Sequence, residues 1–293
     1  ELGHTGEWYS LFSLNIVLCP FSHIFVTNST SLYVLVQDVR MYSYSIPFTQ
    51  IDDCPAELVI PTLRDDVFVD WVRIKGGVYS YIQKILDRFT GEILLGVEVA
   101  AIHRSTAGVT ISLADGKTLE FDKVVFATPP DQVLKLLADP HPDEIARFAD
   151  WQGNYVQTLL HTDTSMYAPY RIREGSEFDF FETDTKHGYW GYNARLNQIC
   201  GIDSPTQYSL SFNLENSIDP DRILHIQQHH TPLYTVAAFR HRHEIIATNG
   251  DYHTYHVGAY LGDGLHEGAI TSALRVAEQI ARIHLPLKVF SRY

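Results

Sequence analysis

Hydrophobic positions recur at helical spacing in some parts of the chain and alternate at strand spacing in others. The apolar positions of Val78–Phe89 follow a 3.6-residue period, which predicts a helix. Small residues recur every four positions in Gly268–Ile283, which predicts a second, longer helix that packs closely. Alternation over Glu92–His103 and Gly108–Leu113 predicts strands, and Asp115-Gly116 after them predicts a two-residue hairpin turn.

The remaining segments predict further strands and short helices. Short apolar or alternating runs predict strands at Lys123–Ala127, Tyr155–His161, Tyr189–Asn193, Tyr208–Leu214 and Thr254–Ala259. Helix-start signals predict helices at Asp131–Leu137, at Pro142–Asp150 and from Asp219-Pro220-Asp221 to about His229. Because strands and helices alternate over much of the chain, we expect an α/β fold.

Composition and charge exclude several classes of protein. The chain has 293 residues, of which 45% are hydrophobic and 19% charged, as in an ordinary globular protein. Its formal net charge of -13 repels phosphate backbones, so we expect no nucleic-acid partner. Leu11–Val26 is apolar but contains Pro20 and is shorter than a bilayer span, so we expect no integral membrane segment. The absence of a targeting signal predicts a cytoplasmic location.

The strongest local signal for chemistry is a strand, a glycine-rich turn and a helix start near the end of the chain. The predicted strand Thr254–Ala259 is followed by Gly262-Asp263-Gly264, which precedes the helix that begins near Gly268. The first turn of a helix presents unpaired N–H groups and the positive end of the helix dipole. These groups suit a pyrophosphate or the polar edge of a flavin. The alternative interpretation is a flexible loop-to-helix turn that binds nothing.

Several motifs in a fixed order resemble the FAD-dependent amine-oxidase-like superfamily, in the branch of predicted NAD/FAD-binding proteins related to phytoene desaturase and protoporphyrinogen oxidase. These motifs are 72–77 (VRIKGG), 95–102 (LGVEVAAI), 113–116 (LADG), 121–128 (FDKVVFAT), 161–163 (HTD) and 258–272. The resemblance implies an incomplete Rossmann-like FAD-binding domain with an inserted mixed β-sheet and helix substrate domain. Residues 71–130 and 232–293 would form the FAD-binding parts, residues 131–231 the insertion, and residues 1–70 an N-terminal segment partly in the substrate domain.

The resemblance also implies the cofactor and the residues that hold it. FAD would lie with its adenine against Val99 and its dinucleotide near Thr128. The pyrophosphate and ribityl chain would approach Gly258 and Ala259, and the flavin ring would face the helix start. The implied contacts at that helix start are Gly268, Ala269 and Ile270. The family's opening G-x-G-x-x-G turn has no match in this sequence, so weaker binding of the pyrophosphate is expected.

Two residues are the candidates for catalysis. Tyr260, beside the glycine turn, is a candidate aromatic wall at the flavin, and core packing is its alternative role. His266 is a candidate proton shuttle because histidine titrates near neutral pH, and simple packing is again the alternative. Trp190 and Tyr192 are further aromatic candidates. Asn193-Ala194-Arg195 resembles a family segment over the substrate cavity.

Histidine pairs elsewhere do not indicate a metal site. His229-His230 and His241-Arg242-His243 lack the i, i+4 spacing and the clustered carboxylates or thiolates of metal sites, so we expect no metal.

The expected function is FAD-dependent removal of hydride from a C–N or C–C bond of a small substrate, either apolar or amine-bearing. One alternative is flavin-dependent isomerisation of double bonds in unsaturated fatty acids. The other is a truncated, non-catalytic remnant that does not hold FAD.

Overall fold

A computed structural model describes residues 43–65, 72–172, 175–184 and 189–284. The apolar segment Leu11–Val26 therefore lies outside the described residues. The described strands are β1 Val99–Ser105, β2 Gly108–Leu113, β3 Thr118–Phe121, β4 Val124–Phe126, β5 Gly153–His161, β6 Phe178–Asp184, β7 Tyr189–Arg195, β8 Ser209–Phe212, β9 Ile223–Pro232 and β10 Thr254–His256. The described helices are α1 Ala56–Asp65, α2 Tyr79–Leu86, α3 Val133–Leu136, α4 Pro142–Phe148, α5 Leu196–Cys200, α6 Val236–Phe239, α7 Arg242–Ala247 and α8 His266–His284. The expected mixture of strands and helices is confirmed.

The first sheet is an antiparallel meander in the order β1-β2-β3. Its predicted hairpin is confirmed: Gly116 has φ 88°, and the Lys117 N–H donates to the Asp115 carboxylate at 3.0 Å. The prediction of a strand from Glu92 was wrong in its first part, because β1 begins only at Val99. Residues 92–98 are exposed and pair with no described strand, and alternation alone supplies no hydrogen-bonding partner.

The second sheet is antiparallel, with five strands in the order β6-β7-β8-β5-β9. It is built entirely from residues 153–232. The predicted helix after Asp219 was wrong: a single 3₁₀ turn, Pro220–Arg222, leads directly into β9. β9 pairs along the whole of β5, from Gly153 opposite Pro232 to His161 opposite Ile223, so pairing with a distant strand overrides the local helix-start signal.

The third sheet consists of β4 and β10, which run parallel although more than a hundred residues separate them. Phe126 lies opposite His256, and the Val257 N–H donates to the Phe126 carbonyl at 2.9 Å. Parallel pairing brings the carboxyl ends of both strands to one edge of the sheet. β10 stops at His256, three residues short of the predicted strand end at Ala259.

Among the described residues, the largest of three buried hydrophobic clusters packs strands of all three sheets against the short helices. Its aromatic centre is a chain of edge-to-face contacts. Tyr44 contacts Tyr234 at a centroid distance of 5.7 Å, Tyr234 contacts Trp151 at 6.0 Å, and Trp151 contacts Tyr260 at 5.4 Å. These contacts join the segment before α1 to the turn that follows β10.

A buried ion pair fastens the meander to α4 and to β10. The Arg104 guanidinium donates to both oxygens of Glu144, at 2.6 and 2.7 Å, and also to the Thr254 hydroxyl at 3.1 Å. Glu144 also accepts the His141 N–H at 2.8 Å, completing a capping box at the start of α4. Burial opposes ionisation of Glu144, but hydrogen bonds from Arg104 and the His141 N–H hold its pKa below the usual value.

Candidate cofactor site

Thr128 and Gly258 occupy equivalent positions, two residues beyond the paired ends of β4 and β10. In parallel α/β sheets, ligands bind at the carboxyl edge of the strands. The Thr128 hydroxyl is buried and has no hydrogen-bond partner among the described residues. Because an unpaired buried hydroxyl is costly, this atom is suited to a polar ligand group.

Gly258 makes the turn that leaves the sheet edge. Its φ of 149° lies in a region that side chains rarely adopt, and a Cβ at this position would meet the Tyr260 ring at 2.9 Å. Its N–H donates to the Ser272 hydroxyl at 2.9 Å. The Ser272 oxygen is also within 2.8 Å of the Ala269 carbonyl. Ser272, which had no predicted role, thereby ties the turn to α8.

The start of α8 is capped by a residue of the chain itself. The Asp263 carboxylate accepts the N–H groups of Leu265 and Gly268, at 2.8 and 2.9 Å. A Cβ on Gly268 would collide with the side chain and backbone of Asp263, so this close approach requires glycine. The Gly268 amide, one of those expected to face a ligand, is thus already paired. The capping role of Asp263 was not predicted, because Asp263 lies three residues before His266 and not at the N-cap position.

The glycine turn before α8 packs against the protein. The Tyr44 hydroxyl donates to the Asp263 carbonyl at 3.2 Å, and Arg242 donates to the Gly262 carbonyl at the same distance. A Cβ on Gly264 would approach the Tyr44 ring at 2.7 Å. The glycines at 262 and 264 therefore serve internal packing.

The other residues expected to hold the cofactor have different surroundings. Ala259 is half-buried and begins a 3₁₀ turn, and its carbonyl accepts the Gly262 and Gly264 N–H groups. Ala269 is half-buried and Ile270 is 42% exposed, both in the first turns of α8. Val99 belongs to the meander sheet, where it lies opposite Leu113, and not to the β4–β10 sheet.

Tyr260 and His266 have contrasting environments. Tyr260 is 2% exposed, and burial raises the pKa of its phenol well above the usual range. Its hydroxyl, like that of Thr128, has no partner among the described residues. His266 is exposed at the start of α8, where its Nε2 is hydrogen-bonded to the Tyr81 hydroxyl of α2. Tyr260 is therefore enclosed in the core, whereas His266 is open to solvent and contacts α2.

The aromatic candidates on β7 lie in and beside the core. Tyr192 is 5% exposed and stacks on Phe212 with a centroid distance of 5.5 Å. Trp190 is half-buried, and its carbonyl accepts the Asn213 side-chain amide at 2.7 Å. Both contribute to the sheet face that packs on the main core.

Asn193 and Arg195 belong to a polar network on the opposite face of that sheet. Asn193 is fully buried; its amide donates to the Tyr167 hydroxyl at 2.8 Å, and its side-chain oxygen accepts from Ser211. His161 is also fully buried and contacts the Ser211 hydroxyl at 2.8 Å; burial lowers its pKa. Arg195 donates to the Gly175 carbonyl at 2.9 Å and lies over the Tyr167 ring. The network rigidifies the sheet.

Neither a metal cluster nor a membrane-spanning helix is found in the described part of the chain. Across residues 43–284 with their gaps, no three His, Cys, Asp or Glu side chains are placed to hold a metal ion. None of the helices described is long and apolar enough to cross a bilayer.

The family of the chain follows from its sequence. Residues 23–174, just over half of its length, match the family described as flavin containing amine oxidoreductase. The chain belongs to this family. No curated protein is significantly similar to it. The family name specifies a flavin as the cofactor of its members.

Solved structures share the fold. A CLA-producing fatty acid isomerase from P. acnes superimposes with a TM-score of 0.62 at 15% identity, over 90% of this chain and 67% of that one. A redesigned triple variant of putrescine oxidase superimposes with a TM-score of 0.58 at 11% identity, over 91% of this chain and 68% of that one. At such low identity the likeness concerns the fold alone. The chain spans about two thirds of either protein.

The strand edge of this chain has one feature that suits a polar group of a flavin cofactor. The buried Thr128 hydroxyl, which has no partner among the described residues, offers a hydrogen bond to a ligand, whereas the Gly258 N–H is already paired with Ser272. The helix start meets the requirement less fully, because Asp263 already holds the Leu265 and Gly268 amides. The residues present therefore fit the middle of the cofactor best.

Proposed function

We propose that this protein is an FAD-dependent oxidoreductase that removes hydride from a C–N or C–C bond of a small organic substrate, either apolar or amine-bearing. The observation that carries the proposal is the Thr128 hydroxyl, buried without a described partner beside Gly258 at the carboxyl edge of two parallel strands. Membership of the flavin containing amine oxidoreductase family supports the choice of cofactor.

The proposal assigns the residues at this edge to the cofactor. Thr128 would donate a hydrogen bond to the dinucleotide, and the turn at Gly258 and Ala259 would approach its pyrophosphate and ribityl chain. Ala269 and Ile270 would face the ring, where the positive end of α8 favours partial negative charge. A bound flavin would supply the hydride-accepting chemistry, while the protein positions the substrate and excludes water.

The chain would divide around this edge into a split FAD-binding domain, residues 71–130 and 232–293, and an inserted substrate domain, residues 131–231. The five-stranded sheet supports this division, since all of its strands lie between residues 153 and 232. The parallel pair β4–β10 also supports it, because one strand comes from each side of the insertion. An incomplete Rossmann-like sheet is the architecture that this division implies.

Of the two proposed catalytic roles, aromatic wall for Tyr260 and proton shuttle for His266, only the second is supported by an observation. Exposure of His266 and its hydrogen bond to Tyr81 support the second role, because a proton could pass between ring and solvent. Unchanged turnover in a His266→Ala variant that retains FAD would rule out the shuttle. For Tyr260, its place in the aromatic core favours packing over direct contact.

One rival function is favoured by a specific observation. A non-catalytic remnant without FAD would need its helix start to be closed by the chain itself, and Asp263 provides such a closure. The isomerase alternative gains only the shared fold of the P. acnes protein, and product analysis under anaerobic conditions would separate it from net oxidation.

Titration of the purified protein with FAD, followed by flavin absorbance and fluorescence, tests the proposal. A Thr128→Val variant, which keeps the shape and removes the hydroxyl, should bind FAD about tenfold more weakly. The matched control is Thr118→Val, on the exposed strand β3. Equal affinities in all three proteins would contradict the role of Thr128, and absence of binding in all three would favour the remnant.

A further inference from the structure

β9 is an edge strand of the five-stranded sheet. It pairs with β5 on one side, and in the part of the chain that the structure describes no strand pairs with its other side. Residues 224–228 are exposed, with Leu224 at 55% and Ile226 at 49%. A strand edge of this kind presents backbone donors and acceptors that can pair with another strand.

β9 lacks the features that usually protect an edge. Its ten residues, ILHIQQHHTP, include no Lys, Arg, Asp or Glu, and its proline, Pro232, is the last residue. The bulge in its pairing with β5 lies at the Leu224 end and leaves the stretch from His225 onward in register. Edge strands normally carry charges, prolines or bulges near their centre, which prevent pairing with a second chain.

The opposite edge of the same sheet is protected. β6 carries Asp179 and Glu182, so two copies of this edge would repel each other. The whole chain has a net charge of -13, and most of its surface therefore opposes contact between two copies. The uncharged edge of β9 is an exception, because self-pairing there brings no like charges opposite each other.

We propose that β9 is the interface of a homodimer, in which β9 pairs antiparallel with β9 of a second copy. A strand paired with its own copy about a two-fold axis supplies both sets of backbone donors and acceptors, so no second complementary surface is needed. The two sheets join into one continuous sheet across the axis. Leu224 and Ile226 of both copies lose exposed apolar area on pairing.

Sedimentation velocity of the full chain from about 1 to 100 μM tests this dimer. We expect the wild-type protein to change from monomer to dimer over this range. Ile226→Lys puts a positive charge on the exposed strand of each copy and should raise the dimer dissociation constant at least about tenfold. Ile226→Val, which keeps an apolar strand residue, should retain the dimer.

The matched control is Leu274→Lys on α8, where the side chain is 60% exposed and distant from β9 in the chain. This variant should dimerise like the wild type. A wild-type protein that stays monomeric, a dimer weakened by Leu274→Lys but not by Ile226→Lys, or growth into larger polymers would each overturn the proposal. These readouts require no flavin, so the outcome is independent of the proposed function.

Discussion

Burial of His256 predicts a loss of stability on mild acidification. The His256 ring is 5% exposed, and it packs against Phe126 and Phe148 at centroid distances of 5.4 and 4.8 Å. Its Nδ1 has no hydrogen-bond partner among the described residues. Burial lowers the pKa of His256 to about 4; nearby Glu144 opposes this shift, while Arg104 and Arg147 add to it.

The magnitude follows from the two protonation states. Above a pH of about 6.5, His256 is neutral in both the folded and the unfolded protein, and no stability is lost. As the pH falls towards 4, His256 becomes protonated in the unfolded chain but stays neutral in the folded protein. Each pH unit then costs about 1.4 kcal/mol, which gives about 3 kcal/mol in total. A His256→Phe variant should lack this contribution.

The assay is chemical denaturation at a series of pH values between 7 and 4. Between these limits the free energy of unfolding should fall by about 3 kcal/mol more in the wild type than in His256→Phe. His103→Phe, which changes an exposed histidine on β1, should behave like the wild type. Burial also lowers the pKa of His161, and this contribution is present in every variant. Only the difference in unfolding free energy between the wild type and His256→Phe therefore reports on His256. Parallel curves for wild type and His256→Phe would refute the reasoning.

Three further changes should alter stability in a defined direction, each measured as the free energy of unfolding at neutral pH. Arg104→Met leaves the buried Glu144 carboxylate without its cation and should cost about 3–5 kcal/mol, and a cost below that of an exposed ion pair would contradict the assignment. Gly268→Ala forces a methyl group against Asp263 and should cost about 1–3 kcal/mol, so an unchanged midpoint would argue against this close packing. Asp263→Ala removes the cap of α8 and should cost about 1 kcal/mol, whereas no loss would show that the cap is dispensable.

The local features of the fold were readable from the sequence because neighbouring residues determine them. The Asp115-Gly116 turn and the helix α8 are examples, since turn chemistry and small-residue spacing act over a few positions. β9 was not readable: its start carries a local helix signal, while its partner β5 lies far away in sequence. Pairing between distant strands is a tertiary effect that no local pattern contains.

In the candidate site, too, some features could be predicted from the sequence and others depend on tertiary structure. Thr128 and Gly258 could be named from motifs, but their position side by side depends on parallel pairing of β4 with β10. The Asp263 cap could not be predicted from the N-cap signal, because Asp263 lies three residues before the first residue of α8. Ser272 could not, because a serine inside a helix gives no sign that its hydroxyl reaches the Gly258 amide.

The most direct test of the central claim is release of bound cofactor by heat from the purified protein, with identification by absorbance and mass. If the edge at Thr128 and Gly258 holds a flavin dinucleotide, FAD should be released. A protein that releases no flavin, and gains no flavin absorbance after incubation with added FAD, would contradict the account.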